Sequence, residues 1–270
     1  MSFFTRRRLL AASLAPRRRA LSIGVMDGIM KLGSRPESVR KAAELGFEGL
    51  QVTLGRGNAP FRENPALARE FASEAKAARL PVVSTYIDTL HQFCLKQDRE
   101  AVAYASEAIR LTREMGAPIL MLVFFGKCAL VTEGELEAVV PPLKELAREA
   151  ERAGVTLGFE NTLRAADALR VLDKVQSRAL KIYYDIGNAT NLYGENPAEA
   201  IRAIGRARIC QFHFKDKGYL GEGAVDVRAA VEAIHAIGWR GFIVLETGAP
   251  SGGVEADLKR NLSYLRSLSL

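Results

Sequence analysis

From Leu21 onward, short runs rich in β-branched and aromatic residues alternate with longer stretches whose apolar positions recur at helical spacing. The short runs fall near residues 21–26, 49–53, 81–87, 118–125, 155–160, 181–185, 208–214 and 241–246, which makes eight predicted strands. Segments between them, such as "RPESVRKAAEL", "REAVAYASEAIRLTREM" and "ELEAVVPPLKELAREAERA", intersperse charged residues among the apolar ones, as amphipathic helices do. Gly46, Gly116, Gly154 and Gly238 stand where a left-handed residue would close four of these helices. Two junctions, "ELGFEGLQV" and "AIGWRGFIVLE", read as copies of one unit. A repeat of about 31 residues predicts a parallel sheet with crossover helices, and eight units suit a single α/β domain folded as a (β/α)8 TIM barrel. An open doubly wound sheet shares that periodicity, but its usual G-x-G-x-x-G or P-loop motif is absent, as are G-x-S-x-G and H-E-x-x-H.

Composition alters this picture mainly at the N-terminus. The chain has 270 residues, 48% of them hydrophobic, which is enough for a large core. No apolar run approaches the length of about 18 residues that a membrane span needs. The net charge of +7 suggests a nucleic-acid partner until it is located. Arg6, Arg7, Arg8, Arg17, Arg18 and Arg19 all lie within residues 1–20, which contain no acid, so the rest carries only +1. Residues 1–20 therefore read as a separate basic tail and 21–270 as the barrel, with no nucleic-acid footprint on the latter. The tail segment "TRRRLLAASLAPRRRA" resembles a twin-arginine export signal, with an apolar stretch, Leu9 to Ala15, of only seven residues. A cytoplasmic location is the expectation, with export by this signal as the alternative. Cys94, Cys128 and Cys210 are odd in number and widely spaced, and no pairing is read from them. Formation of a homo-oligomer stays open.

Candidate chemistry appears at the strand ends. In "ICQFHFKD", strand alternation puts Cys210, Phe212 and Phe214 on one face and Gln211, His213 and Lys215 on the other. The apolar face suits the helices outside a barrel, and the polar face suits its interior. The last four strand ends read "LGFEN", "IYYDIGN", "FHFKD" and "IVLETG", placing Glu160, Asp185, His213 and Glu246 at gaps of 25, 28 and 33 residues, each about one barrel unit. Taken singly, each has an ordinary explanation: Glu160 or Asp185 as a helix cap, His213 as a hydrogen-bonded interior residue, Glu246 as the partner of a lysine. Taken together, three carboxylates converging on one point repel each other unless a cation joins them. Three carboxylate oxygens and one imidazole nitrogen favour one divalent ion, Mn²⁺ or Mg²⁺ ahead of Co²⁺ or Zn²⁺.

These segments, in this order, resemble the xylose isomerase-like TIM barrels, a family of sugar phosphate isomerases and epimerases. The resemblance covers nearly all of the chain after residue 20 and implies Glu160, Asp185, His213 and Glu246 as ligands of one divalent metal. It also implies a sugar or sugar phosphate substrate, with Glu160 and Glu246 moving a proton through a metal-stabilised enediolate. Asn188 stands where relatives often carry a substrate-contacting residue. Lys215 is a candidate for neutralising an enediolate or phosphate oxygen, Glu222 in "KGYLGEG" a candidate contact from a flexible loop, and His91 a candidate reaching in from the third strand. Gln51 and Gln211 depart from the residues common in better-known epimerases, and both are read as touching the sugar pocket. The alternatives are an inosose-type dehydratase and a non-catalytic sugar-binding barrel. The apurinic endonuclease branch of the superfamily needs more than the three histidines present.

Overall fold

A computed structural model describes residues 21–268. The arginine-rich tail and its signal-like reading lie outside them. Eight parallel strands pair in chain order: β1 (Leu21–Met26), β2 (Gly49–Thr53), β3 (Val82–Ile87), β4 (Ile119–Phe124), β5 (Thr156–Asn161), β6 (Leu180–Asp185), β7 (Ile209–Phe214) and β8 (Gly241–Leu245), with β8 closing on β1. Each lies within one residue of the bounds the hydrophobic pattern gives.

The surrounding helices are α1 (Glu37–Leu45), α2 (Ala59–Glu63), α3 (Leu67–Ala78), α4 (Arg99–Glu114), α5 (Glu133–Ala153), α6 (Ala165–Val175), α7 (Asn188–Tyr193), α8 (Pro197–Ile204), α9 (Val227–Ala236) and α10 (Val254–Ser267). α5 starts at a reciprocal cap in which Thr132 Oγ1 accepts from the Glu135 backbone N–H while Glu135 accepts from the Thr132 N–H. It ends at Gly154, whose left-handed conformation lets its N–H return to the last helical carbonyls. Pro141 and Pro142 lie inside α5, where the carbonyls they leave unbonded belong to exposed Glu137 and Ala138 and can be hydrated.

The apolar face of β7 packs under the helices as its alternation requires. Phe212 and Phe214 are fully buried, and Trp239 meets Phe212 edge-on at 4.8 Å while its indole N–H donates to the Ile209 carbonyl. Trp239 thereby fastens the start of β8 to β7. The inner face, with Gln211 and His213, is buried inside the barrel.

Candidate metal centre and active site

Glu160, Asp185, His213 and Glu246 meet at the C-terminal mouth of the barrel, with one ligand-type atom from each lying within 4.8 Å of all the others. β6 and β7 pair in a register that sets Asp185 beside His213. His213 Nδ1 is 3.0 Å from Glu160 Oε1, 3.1 Å from Glu246 Oε2 and 4.0 Å from Asp185 Oδ2. Glu160, Asp185 and His213 are buried, and Glu246 is the one member partly open to solvent.

The ordinary explanations for these side chains turn out to be true at the same time as the clustering. Asp185 Oδ1 accepts from the backbone N–H groups of Gly187 and Asn188 at 2.7 and 2.9 Å, capping α7. Glu246 does pair with a lysine: Lys215 Nζ donates to its Oε2 at 3.0 Å. Asp185 Oδ2 is left over. Lys215 Nζ lies 3.1 Å from it, close enough for attraction but outside hydrogen-bond geometry, and this buried oxygen has no hydrogen-bond partner.

The electrostatics follow from crowding three acids around two cations. Burial, reinforced by the Glu246 and Glu160 charges against the counter-effect of Lys215 and His213, pushes the Asp185 carboxyl up to about 7. Burial alone would lower His213, but the Glu160 and Glu246 carboxylates outweigh it and push the imidazole up to about 10. Burial opposes ionisation of Glu246 as well, and His213 and Lys215 more than offset it, holding this carboxyl well below the usual range. A surplus negative charge, an orphaned carboxylate oxygen and an oxygen-rich donor set are what a hard divalent cation requires.

The other expected residues divide. Lys215 joins the cluster. Asn188 contributes its backbone N–H to Asp185, while its side-chain amide donates to the Asn161 carbonyl at 3.3 Å and ties the β5 and β6 loops together. His91 stands exposed on the rim, its Nε2 2.6 Å from the Tyr86 hydroxyl and its ring stacked at 5.8 Å on Phe125. Glu222 is not brought to the cluster; it pairs with Arg260 at the exposed surface, where Arg260 also covers the Tyr219 ring.

One reading is corrected, and one bond is added that the sequence did not show. Gln51 and Gln211 are not pocket walls, because strand alternation carries both into the buried barrel interior, and Gln51 contacts His213 from there. Cys94 and Cys128 form a disulfide between the loops that follow β3 and β4, with Cα atoms 4.9 Å apart. Spacing in sequence conceals this pairing, which arises because β3 and β4 are neighbours in the barrel.

Sequence reasoning also passed over Tyr86 and Phe125. Tyr86 lies near enough to feel the Glu160 and Glu246 charges, and burial ahead of these charges raises its hydroxyl well above the usual range. Roomier surface concavities, around Asp173, Arg178 and Arg208 and around Arg206, Cys210 and Trp239, open at the opposite end of the barrel and contain none of the four. The donor set therefore outweighs cavity size in locating the site.

Residues 39–268 match the family model described as xylose isomerase-like TIM barrel. The chain belongs to this family. Among its similar proteins is a 2-epi-5-epi-valiolone 7-phosphate 2-epimerase from an Actinoplanes species, 25% identical over 206 residues that make up 73% of this chain and 76% of that one. A D-psicose 3-epimerase with D-tagatose from Clostridium cellulolyticum H10 superposes with a TM-score of 0.77 at 16% identity, covering 92% of this chain and 99% of that one. A xylose isomerase domain protein from Planctomyces limnophilus gives 0.75 at 22% identity over 92% and 97%. The two solved structures show that the xylose isomerase-like barrel described above is a shared fold.

Proposed function

We propose that this protein is a divalent-metal-dependent isomerase or epimerase of sugars or sugar phosphates. The observation that carries the reading is the convergence of Glu160, Asp185, His213 and Glu246 within 4.8 Å around a buried Asp185 oxygen that has no hydrogen bond. The epimerase names of the similar proteins support a carbohydrate substrate, and the 7-phosphate in one of them keeps phosphorylated sugars in view.

Glu160, Asp185, His213 and Glu246 would hold the ion, with Mn²⁺ or Mg²⁺ suiting the donor set best. A divalent cation there supplies Lewis acidity, lowering the cost of the negative charge that grows on a ketone oxygen as the neighbouring carbon loses its proton. Glu246, the one member of the cluster partly open to solvent, would take the proton. Glu160, buried and 3.0 Å from the same His213 nitrogen that Glu246 approaches, would deliver a proton in its turn. Return to the same carbon from the opposite face gives epimerisation, and return to the adjacent carbon gives isomerisation. Lys215 supplies fixed positive charge beside Asp185 and Glu246 throughout.

The test is a panel of ketoses, ketose phosphates and inososes incubated in D₂O with Mn²⁺, chelated and then read by NMR. Deuterium entering a carbon next to a carbonyl is the expected result, together with about one divalent ion bound per chain. Glu246→Gln should keep the melting temperature within a few degrees while abolishing exchange. If Mn²⁺ neither binds nor raises the melting temperature, the reading is wrong.

A further inference from the structure

Beneath the four clustered side chains lies a buried amide for which the proton transfers have no use. Gln51, in the middle of β2, is fully buried inside the barrel and reaches across it to His213. Its Oε1 is 2.9 Å from His213 Nε2, while its Nε2 is 2.9 Å from Ser84 Oγ and 3.0 Å from the Tyr183 hydroxyl. The two N–H bonds of the amide thus have two hydroxyl oxygens to donate to, and the carbonyl oxygen is left facing the imidazole.

The orientation has a chemical consequence for His213. Only an imidazole nitrogen without a proton can ligate a cation, and the proton of the neutral ring then sits on the other nitrogen. His213 turns Nδ1 toward the three carboxylates and Nε2 toward Gln51. A reversed amide would present N–H to Nε2, require a lone pair there and drive the proton onto Nδ1, where it would block ligation. With Oε1 in place, Nε2–H donates, and when the ring gives up a proton to an arriving cation it is Nδ1, on the carboxylate side, that is left with the lone pair.

Packing holds this arrangement. The Tyr183 ring meets the His213 ring edge-on at 4.6 Å, and it occupies the space beside Gly158, where a Cβ would come within 2.9 Å of it. The glycine of "LGFEN" therefore makes room for the ring that supports both Gln51 and His213.

We infer, resting on the divalent-cation reading, that Gln51 is a positioning residue that fixes the tautomer of His213 and so presents Nδ1 to the ion. Two variants separate this role from simple packing. Gln51→Met keeps the length and loses the strong acceptor. Gln51→Glu keeps an acceptor for Nε2–H, and the Ser84 and Tyr183 hydroxyls can turn to donate to it.

Mn²⁺ affinity is measured by calorimetry on all three proteins, and the ligating nitrogen is read from scalar coupling between ¹¹³Cd²⁺ and ¹⁵N-labelled histidine. The expected result is coupling to Nδ1 in the wild type, Mn²⁺ affinity lowered about 10- to 100-fold in Gln51→Met, and affinity within about threefold of wild type in Gln51→Glu. Coupling to Nε2 in the wild type, or unchanged affinity in Gln51→Met, overturns the role of Gln51 while leaving the cation reading intact. Should Gln51→Met not fold, the wild-type coupling and the Gln51→Glu affinity decide the matter. A wild-type protein that takes up neither Mn²⁺ nor Cd²⁺ overturns the cation reading and this role with it.

Discussion

Asp185 Oδ1 is engaged by the amides at the start of α7, and Oδ2 turns into the site without a hydrogen bond. Asp185→Asn retains an oxygen for the cap and removes the charge. Its Mn²⁺ affinity should fall by more than the roughly 10- to 100-fold typical of changes one shell further out. The metal-free variant should nonetheless melt no lower than wild type at pH 8. The folded-state pKa of Asp185, about 7, lies above its ordinary 3.8, so wild-type stability from this group is full below about 4 and lost as pH rises through 7. Asparagine removes that loss. His213 adds a pH dependence to ion uptake: with its pKa pushed up to about 10 by Glu160 and Glu246 against burial, it is protonated in the metal-free protein at neutral pH. Uptake must release that proton, so apparent affinity should climb with pH, by about tenfold per unit between 7 and 9. Calorimetry in buffers of different ionisation enthalpy counts the protons released. The four acidic and imidazole side chains were legible because each ends a strand about one barrel unit after the last. Gln51 was not, since its partner lies 162 residues away across the barrel and nothing local marks it.

At the scale of elements, the two copied junctions explain themselves through close packing. Gly49 and Gly241 begin β2 and β8, the strands that flank β1 in the closed barrel. A Cβ at Gly49 would stand 2.5 Å from Val83 Cγ1 and 2.7 Å from Phe242 Cε1. Gly49→Ala should therefore destabilise the barrel by about 1–3 kcal/mol, read as a lower urea midpoint at unchanged slope. Strands were legible to within a residue because their apolar runs are short and sharply bounded. The short α2 and α7 were not, since five or six residues span too little of a helical period to show one. Yet α7 matters to the site, because its first amides hold Asp185.

At the scale of the molecule, the fold is carried by repetition, and repetition is the property a sequence shows best. Contacts between repeats show least. The Cys94–Cys128 bond joins residues 34 positions apart on neighbouring loops at the C-terminal mouth of the barrel. Closing a loop of that length stabilises by roughly 4 kcal/mol in the chain-entropy account. Reduction should lower the melting temperature, and the oxidised protein should weigh two hydrogens less than the reduced one by intact mass spectrometry. The same bond tethers the loop carrying His91 to the loop carrying Phe125, the stacked pair on the rim. One polypeptide thus has two versions of this rim, stitched where thiols are oxidised and, where they are reduced, held by stacking and by Lys96, which donates to the Ala129 carbonyl and pairs with Glu135. The compartment in which this enzyme works and the tightness with which its rim is held become a single question.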